Sequence, residues 1–171
     1  SIICADKAWT LRLWPKVDEQ KLVMKTVEIP TQAVQGLSVR TRNADEMQAD
    51  TARIGPLWAD FAAQIAPHLA QGARVYGVYH RYESDAQGAF DVLAGADALL
   101  STAGDAVTLR RVDMAPGPYL VFDAPGALPQ AVVDAWARIW RYFDDPLCPH
   151  QRAYTTDFEC YAPDGLTTIC I

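Results

Sequence analysis

YTTDFECYAPDGLTTICI, residues 154–171, is the stretch from which the rest of the chain can be read. Two β-patterned runs flank Asp164 and Gly165, a strong two-residue turn signal, so the segment predicts an antiparallel hairpin. Immediately upstream, ALPQAVVDAWARIWRYF (residues 127–143) spaces Val132, Trp136, Ile139, Trp140 and Phe143 by three and four, which predicts a helix with one buried stripe. Before that, VTLRRVDMAPGPYLVFDAPG (residues 107–126) reads as a strand bent at Pro116, Gly117 and Pro118. The order is strand, helix, strand, strand.

The first half of the chain has the same order. LVMKTVEIPTQAVQGLSVRT (residues 22–41) is a Val/Ile-rich strand with a bend around Pro30 and Gly36. Between about residues 50 and 70, Ile54, Leu57, Trp58, Phe61, Ile65 and Leu69 recur at helical spacing. Pro56 makes the first turn irregular, and Gly72 is expected to close the helix. ARVYGVYHRYES and AFDVLAGADALL, separated by SDAQG, then predict a second hairpin.

The expected fold class is therefore α+β: tandem βαββ repeats, about 21–104 and 105–171, related by a pseudo-twofold axis. A small sheet with one helix must find further partners for its edge and face, and packing the halves together supplies them. The seam is then the expected ligand groove. Residues 1–20, SIICADKAWTLRLWPKVDEQ, do not continue the pattern; an extension of another origin, a linker and an added edge strand all remain open for them.

Composition narrows the function classes. The chain has 171 residues, half of them hydrophobic and 21% charged, ordinary globular usage. Its net charge is -6 and its 15 Lys and Arg are scattered, so no basic surface for direct nucleic-acid binding is expected. No apolar run reaches the roughly 20 residues of a membrane helix, and no signal-peptide layout is present, so a cytoplasmic protein is expected. Cys4, Cys148, Cys160 and Cys170 form no CxxC pair, and His68, His80 and His150 are isolated, so neither metal nor cofactor is expected. P-loop, dinucleotide and nucleophile-elbow motifs are absent.

IGPLWADF, VYGVYHRYE and DVLAGADA in the first half, with MAPGPYLVFDAPG, WARIW, TTDFECYAP and TTICI in the second, resemble the GyrI-like or effector-binding domain family. The match spans about residue 22 to Ile171. The chain is similar to the ligand-binding domains of the regulators Rob and BmrR and to stand-alone cassette-encoded drug-binding proteins. The resemblance implies a cavity between the halves that takes hydrophobic, often cationic, organic molecules. It also implies an acidic residue on the strand before the last, where this sequence carries Glu159.

From the residues alone, Glu159 shares a strand face with Asp157 and Tyr161, opposite Tyr154, Thr156, Phe158 and Cys160, and a solvent-facing carboxylate is the reading that this pattern favours. The resemblance turns it toward the groove. A carboxylate in an apolar cavity is penalised for its charge unless a cation or donors compensate, and aromatic rings add cation–π attraction. Trp58, Trp136 and Trp140 lie on the helix stripes, where core packing and pocket lining are both open. Alternation sets Tyr79 opposite Tyr76 and Tyr82. By the internal repeat Gly77 corresponds to Glu159 and Tyr79 to Tyr161, which makes Tyr79 and Tyr161 pocket candidates. Tyr119, after the Pro-Gly-Pro break, is a further candidate.

The leading expectation is a bacterial protein that binds a lipophilic cation, as a sensor in transcription regulation or by sequestering a drug in resistance, with a separate protein partner left open. Two alternatives accompany it: a hydrolase of reactive cyclopropane-type toxins, in which Glu159 with Tyr79 or Tyr119 would be the base and donor pair, and a gyrase-interacting protein.

Overall fold

The computed structural model describes residues 24–171; the expectations for residues 1–20 lie outside them. The elements are β1 (Met24–Ile29), β2 (Gln32–Arg42), α1 (Asn43–Glu46), α2 (Ile54–Gln64), a 3-10 turn (Ala66–His68), β3 (Val75–His80), β4 (Ala89–Ala96), α3 (Ala103–Ala106), β5 (Arg110–Met114), β6 (Gly117–Asp123), α4 (Gln130–Asp144), β7 (Thr156–Tyr161) and β8 (Thr167–Cys170). The eight strands form one antiparallel sheet in the order β1-β6-β8-β7-β3-β4-β2-β5.

That order is its own image when β1 is exchanged with β5, β2 with β6, β3 with β7 and β4 with β8. The pseudo-twofold expected from the tandem repeat therefore runs between β3 and β7, where Gly77 pairs with Glu159. The bends at Pro30 and Pro116 are full breaks. Each predicted bent strand is two strands: β2 stays with its own half while β1 pairs with β6, and β6 stays while β5 pairs with β2. A proline has no N–H to give a ladder, so the chain changes partners at that point.

Helices α2 and α4 cover one face of the sheet. Ile54, Leu57 and Phe61 of α2 and Val132, Trp136 and Ile139 of α4 meet Tyr79, Phe90, Val92, Leu120, Phe122 and Ile169 in one buried cluster. The opposite face is a second cluster around Val34, Tyr76, Val78, Leu93, Tyr119 and Phe158. Alternation along the strands sorts the residues between the two.

Helix α2 begins at Ile54, with Pro56 inside its first turn, where the N–H groups have no helical acceptor. The Glu46 carboxylate, reaching from α1, accepts the backbone N–H of Arg53 at 2.9 Å and of Ile54 at 3.1 Å. At the other end the helix stops at Gln64 instead of running to Gly72. Pro67 disfavours helical backbone in the residue before it and sits in the 3-10 turn, while Gly72, at φ 75°, makes the turn into β3.

Among the described residues no helix is long and apolar enough to cross a membrane, and no group of His, Cys, Asp and Glu is arranged to hold a metal ion.

Candidate functional site

The site is built around β7 at the middle of the sheet. Glu159 is on the helix-covered face and only 3% exposed. Its neighbour across the ladder is Gly77, and a Cβ there would fall 2.9 Å from Glu159 Oε2 and 3.0 Å from Trp58 Cζ2. The glycine leaves the space that the carboxylate fills.

Three side chains donate hydrogen bonds to this carboxylate. The Tyr79 hydroxyl and Trp136 Nε1 each donate to Oε1 at 2.8 Å, and the Tyr161 hydroxyl donates to Oε2 at 2.6 Å. The arrangement has the symmetry of the sheet: Tyr79 and Tyr161 occupy equivalent positions on β3 and β7. Each is met edge-on by a tryptophan from the helix of the other half, Trp136 on Tyr79 at 5.4 Å between ring centroids and Trp58 on Tyr161 at 5.7 Å. Burial, and next the Glu159 charge, push both phenols well above their ordinary range, so both remain proton donors.

None of the three donors carries a charge. Withdrawing a carboxylate from water costs several kcal/mol, and hydrogen bonds to a charged acceptor offset roughly 1.5–3 kcal/mol each. The three neutral donors therefore hold the carboxylate in place, and no charged partner is among them.

Beside this cluster lies a narrow crevice of about 10 Å³, room for roughly one water molecule, lined by Tyr79, Tyr82, Trp136, Trp140, Arg152 and Tyr154 among others. Tyr79 and Trp136 thus stand between the crevice and Glu159. Glu159 itself is not among the residues that line this crevice.

Of the residues singled out in the sequence, Glu159, Trp58, Tyr79, Trp136 and Tyr161 come together. Trp140 lines the crevice, and its indole Nε1 is buried with no hydrogen-bond partner among the described residues. Tyr119 is on the wrong face: Leu120 and Phe122 of β6 point to the helices, so period-two alternation sends Tyr119 to the opposite cluster. There its hydroxyl donates to the Ala115 carbonyl at 2.6 Å and its ring packs edge-on against Phe158.

Two aromatic residues that strict alternation sets on the opposite face are in the crevice. Tyr82 follows Arg81, whose φ of 50° ends the regular strand and turns Tyr82 to the side of Tyr79. Tyr154, at φ 53°, precedes the start of β7 and so does not obey its alternation. Arg152 and Asp157 are not among the candidates from the sequence; the Arg152 guanidinium donates to Asp157 Oδ2 at 2.6 Å, and the Tyr82 hydroxyl donates to the same oxygen at 2.6 Å. An arginine in a segment without periodic pattern gives no signal by which it could be found.

With this geometry in view, the similarity to known proteins is informative. The model of the Cass2 family, integron-associated effector binding proteins, matches residues 25–169. The chain belongs to that family. It is 45% identical to an integron cassette protein from the mobile metagenome of Vibrio cholerae, VCH_CASS2, with a TM-score of 0.79 over 86% of this chain and 94% of that one. A more distant fold neighbour, SAV2435 solved bound to tetraphenylphosphonium, shares 16% identity with a TM-score of 0.59 over 86% of this chain and 92% of that one. No match was found among curated proteins. Small-molecule binding is thus the family's province, consistent with the effector-binding fold expected from the sequence.

Proposed function

We propose that this Cass2-family chain binds a hydrophobic, cationic small organic molecule in the aromatic site centred on Glu159, in the cytoplasm, as a sensor or as a protein that sequesters a drug. One observation carries the reading: a 3%-exposed carboxylate is ringed by Trp58, Tyr79, Trp136 and Tyr161 and is held only by uncharged donors. A cation entering between the rings removes the penalty on the buried charge and gains about 0.5–2 kcal/mol for each well-placed ring. A neutral molecule of the same shape gains only the apolar term. The site therefore selects by charge as well as by size.

The tetraphenylphosphonium bound to SAV2435 is a lipophilic cation. At 16% identity that likeness carries the fold alone, so it supplies a probe and not an argument.

The test is thermal unfolding and calorimetry with tetraphenylphosphonium and with neutral triphenylphosphine oxide. A ligand that binds the native state raises its melting temperature, and only the cation is expected to do so. In Glu159→Gln the affinity for the cation should fall by roughly 2–5 kcal/mol. Equal shifts for cation and neutral probe, or no shift for either, would remove the proposal.

A further inference from the structure

The crevice beside Glu159 already contains a cation, and it belongs to the chain. Arg152, between α4 and β7, has a side chain only 7% exposed, and its guanidinium meets Asp157, whose side chain is 4% exposed. The guanidinium carbon lies 4.5 Å from the ring centroid of Tyr154 and 5.5 Å from that of Trp140. Tyr82 completes the enclosure through its bond to Asp157. A carboxylate, a phenol and two ring faces are the groups by which an aromatic pocket receives an organic cation.

The fit is incomplete on one side. Arg152 Nε and the Trp140 Nε1 are both buried without a hydrogen-bond partner among the described residues, and both residues line the crevice. Burial works against the guanidinium's charge, but Asp157 together with the Tyr82 and Tyr154 phenols outweighs it, so Arg152 stays protonated.

Two carboxylates thus stand on the same face of β7, two residues apart, which is roughly 7 Å along a strand. Asp157 is neutralised by Arg152, whereas Glu159 has only neutral donors. Tyr79 and Trp136 line the crevice that Arg152 also lines, and both donate to Glu159 behind them.

We propose that Arg152 is a specificity-determining residue: it fills the second of two anionic subsites with an internal guanidinium and so restricts the pocket to guests carrying one positive charge. This rests on the reading of Glu159 as a cation site. A guest with two cationic groups must expel Arg152 from its aromatic enclosure, whereas a monocation leaves it in place. Without Arg152, Asp157 loses its cationic partner, and the face of β7 carries two carboxylates with only uncharged donors among the described residues.

Two amidines test this on the full chain: benzamidine, with one charge, and benzene-1,4-dicarboxamidine, with two, titrated by calorimetry. The wild type should bind the dication no more tightly than the monocation. Arg152→Ala should shift that preference toward the dication by roughly tenfold or more, and adding Asp157→Asn should abolish the gain. Millimolar methylguanidinium should raise the melting temperature of Arg152→Ala and not of the wild type, including in a Glu159→Gln background. If Arg152→Ala does not fold, Arg152→Met, which keeps the packed stem, carries the amidine comparison.

Unchanged preference in the folded variant, with no methylguanidinium stabilisation where Arg152→Ala folds, would mean that Arg152 only holds the segment in place, and the inference falls. Failure of the wild type to bind tetraphenylphosphonium would instead overturn the reading of Glu159, while methylguanidinium rescue would still report on the Arg152 cage. The two failures are therefore distinguishable.

Discussion

Gly77 and Glu159 are partners across the two central strands, and the side chain that one lacks is the space in which the carboxylate of the other sits. An added methyl would come within 2.9 Å of Glu159 Oε2 and 3.0 Å of Trp58 Cζ2. Gly77→Ala should therefore leave the sheet intact while forcing the carboxylate off its Tyr161 donor. The expected result is a folded protein with affinity for tetraphenylphosphonium reduced roughly tenfold or more; wild-type affinity would mean that the carboxylate's position does not matter.

Tyr79 and Tyr161 each hold one side of Glu159. Changing either to phenylalanine leaves a buried carboxylate one donor short, which should cost about 1–3 kcal/mol in urea unfolding. In a Glu159→Gln background the same changes should cost less, because the charge they serve is gone. Identical costs in both backgrounds would place the role of the hydroxyls elsewhere.

His80 supplies a pH dependence. Burial pulls its pKa below the ordinary 6.5, against the nearby Asp91 carboxylate and with Arg81. The folded state therefore binds the proton less readily than the unfolded one. Its contribution to stability is fully present above pH 6.5 and is lost as pH falls from there through the lower folded-state value. Melting temperatures between pH 7 and pH 5 should fall more for the wild type than for His80→Gln; parallel curves would contradict this.

Gly36 and Gly95 face each other where β2 crosses β4. A Cβ on Gly36 would lie 2.0 Å from the Ala94 carbonyl oxygen, which belongs to the ladder and has nowhere to go. Gly36→Ala should cost on the order of 4 kcal/mol or more and give little folded protein. Gly104, where a methyl would meet nothing within 4 Å, is the control: Gly104→Ala should be neutral or gain up to about 1 kcal/mol of stability. Similar losses at both positions would refute the steric account.

Much of this architecture is legible in the sequence because it is repeated. The helical stripes of Ile54, Leu57 and Phe61 and of Val132, Trp136 and Ile139, and the two hairpins, follow from hydrophobic period. The correspondence of Gly77 with Glu159, read from the repeat, is a physical pairing across the axis. What escapes such a reading is what depends on departures from period. Tyr82 and Tyr154 reach the crevice through left-handed residues, 81 and 154, at which alternation stops applying. Tyr119 is favoured by its place after Pro118, but its face is set by Leu120 and Phe122 beside it. The partner change at Pro30 reads as a bend, since a break and a bend look alike until the opposite strand is known.

That exchange at Pro30 and Pro116 makes the halves interdependent. Each outermost strand is lent by the other copy, so cutting the chain between them gives two fragments, each missing a border and each bearing an uncovered one. Neither half can complete its own sheet by itself. The pairing of Gly77 with Glu159 at the centre therefore exists only when both halves are joined.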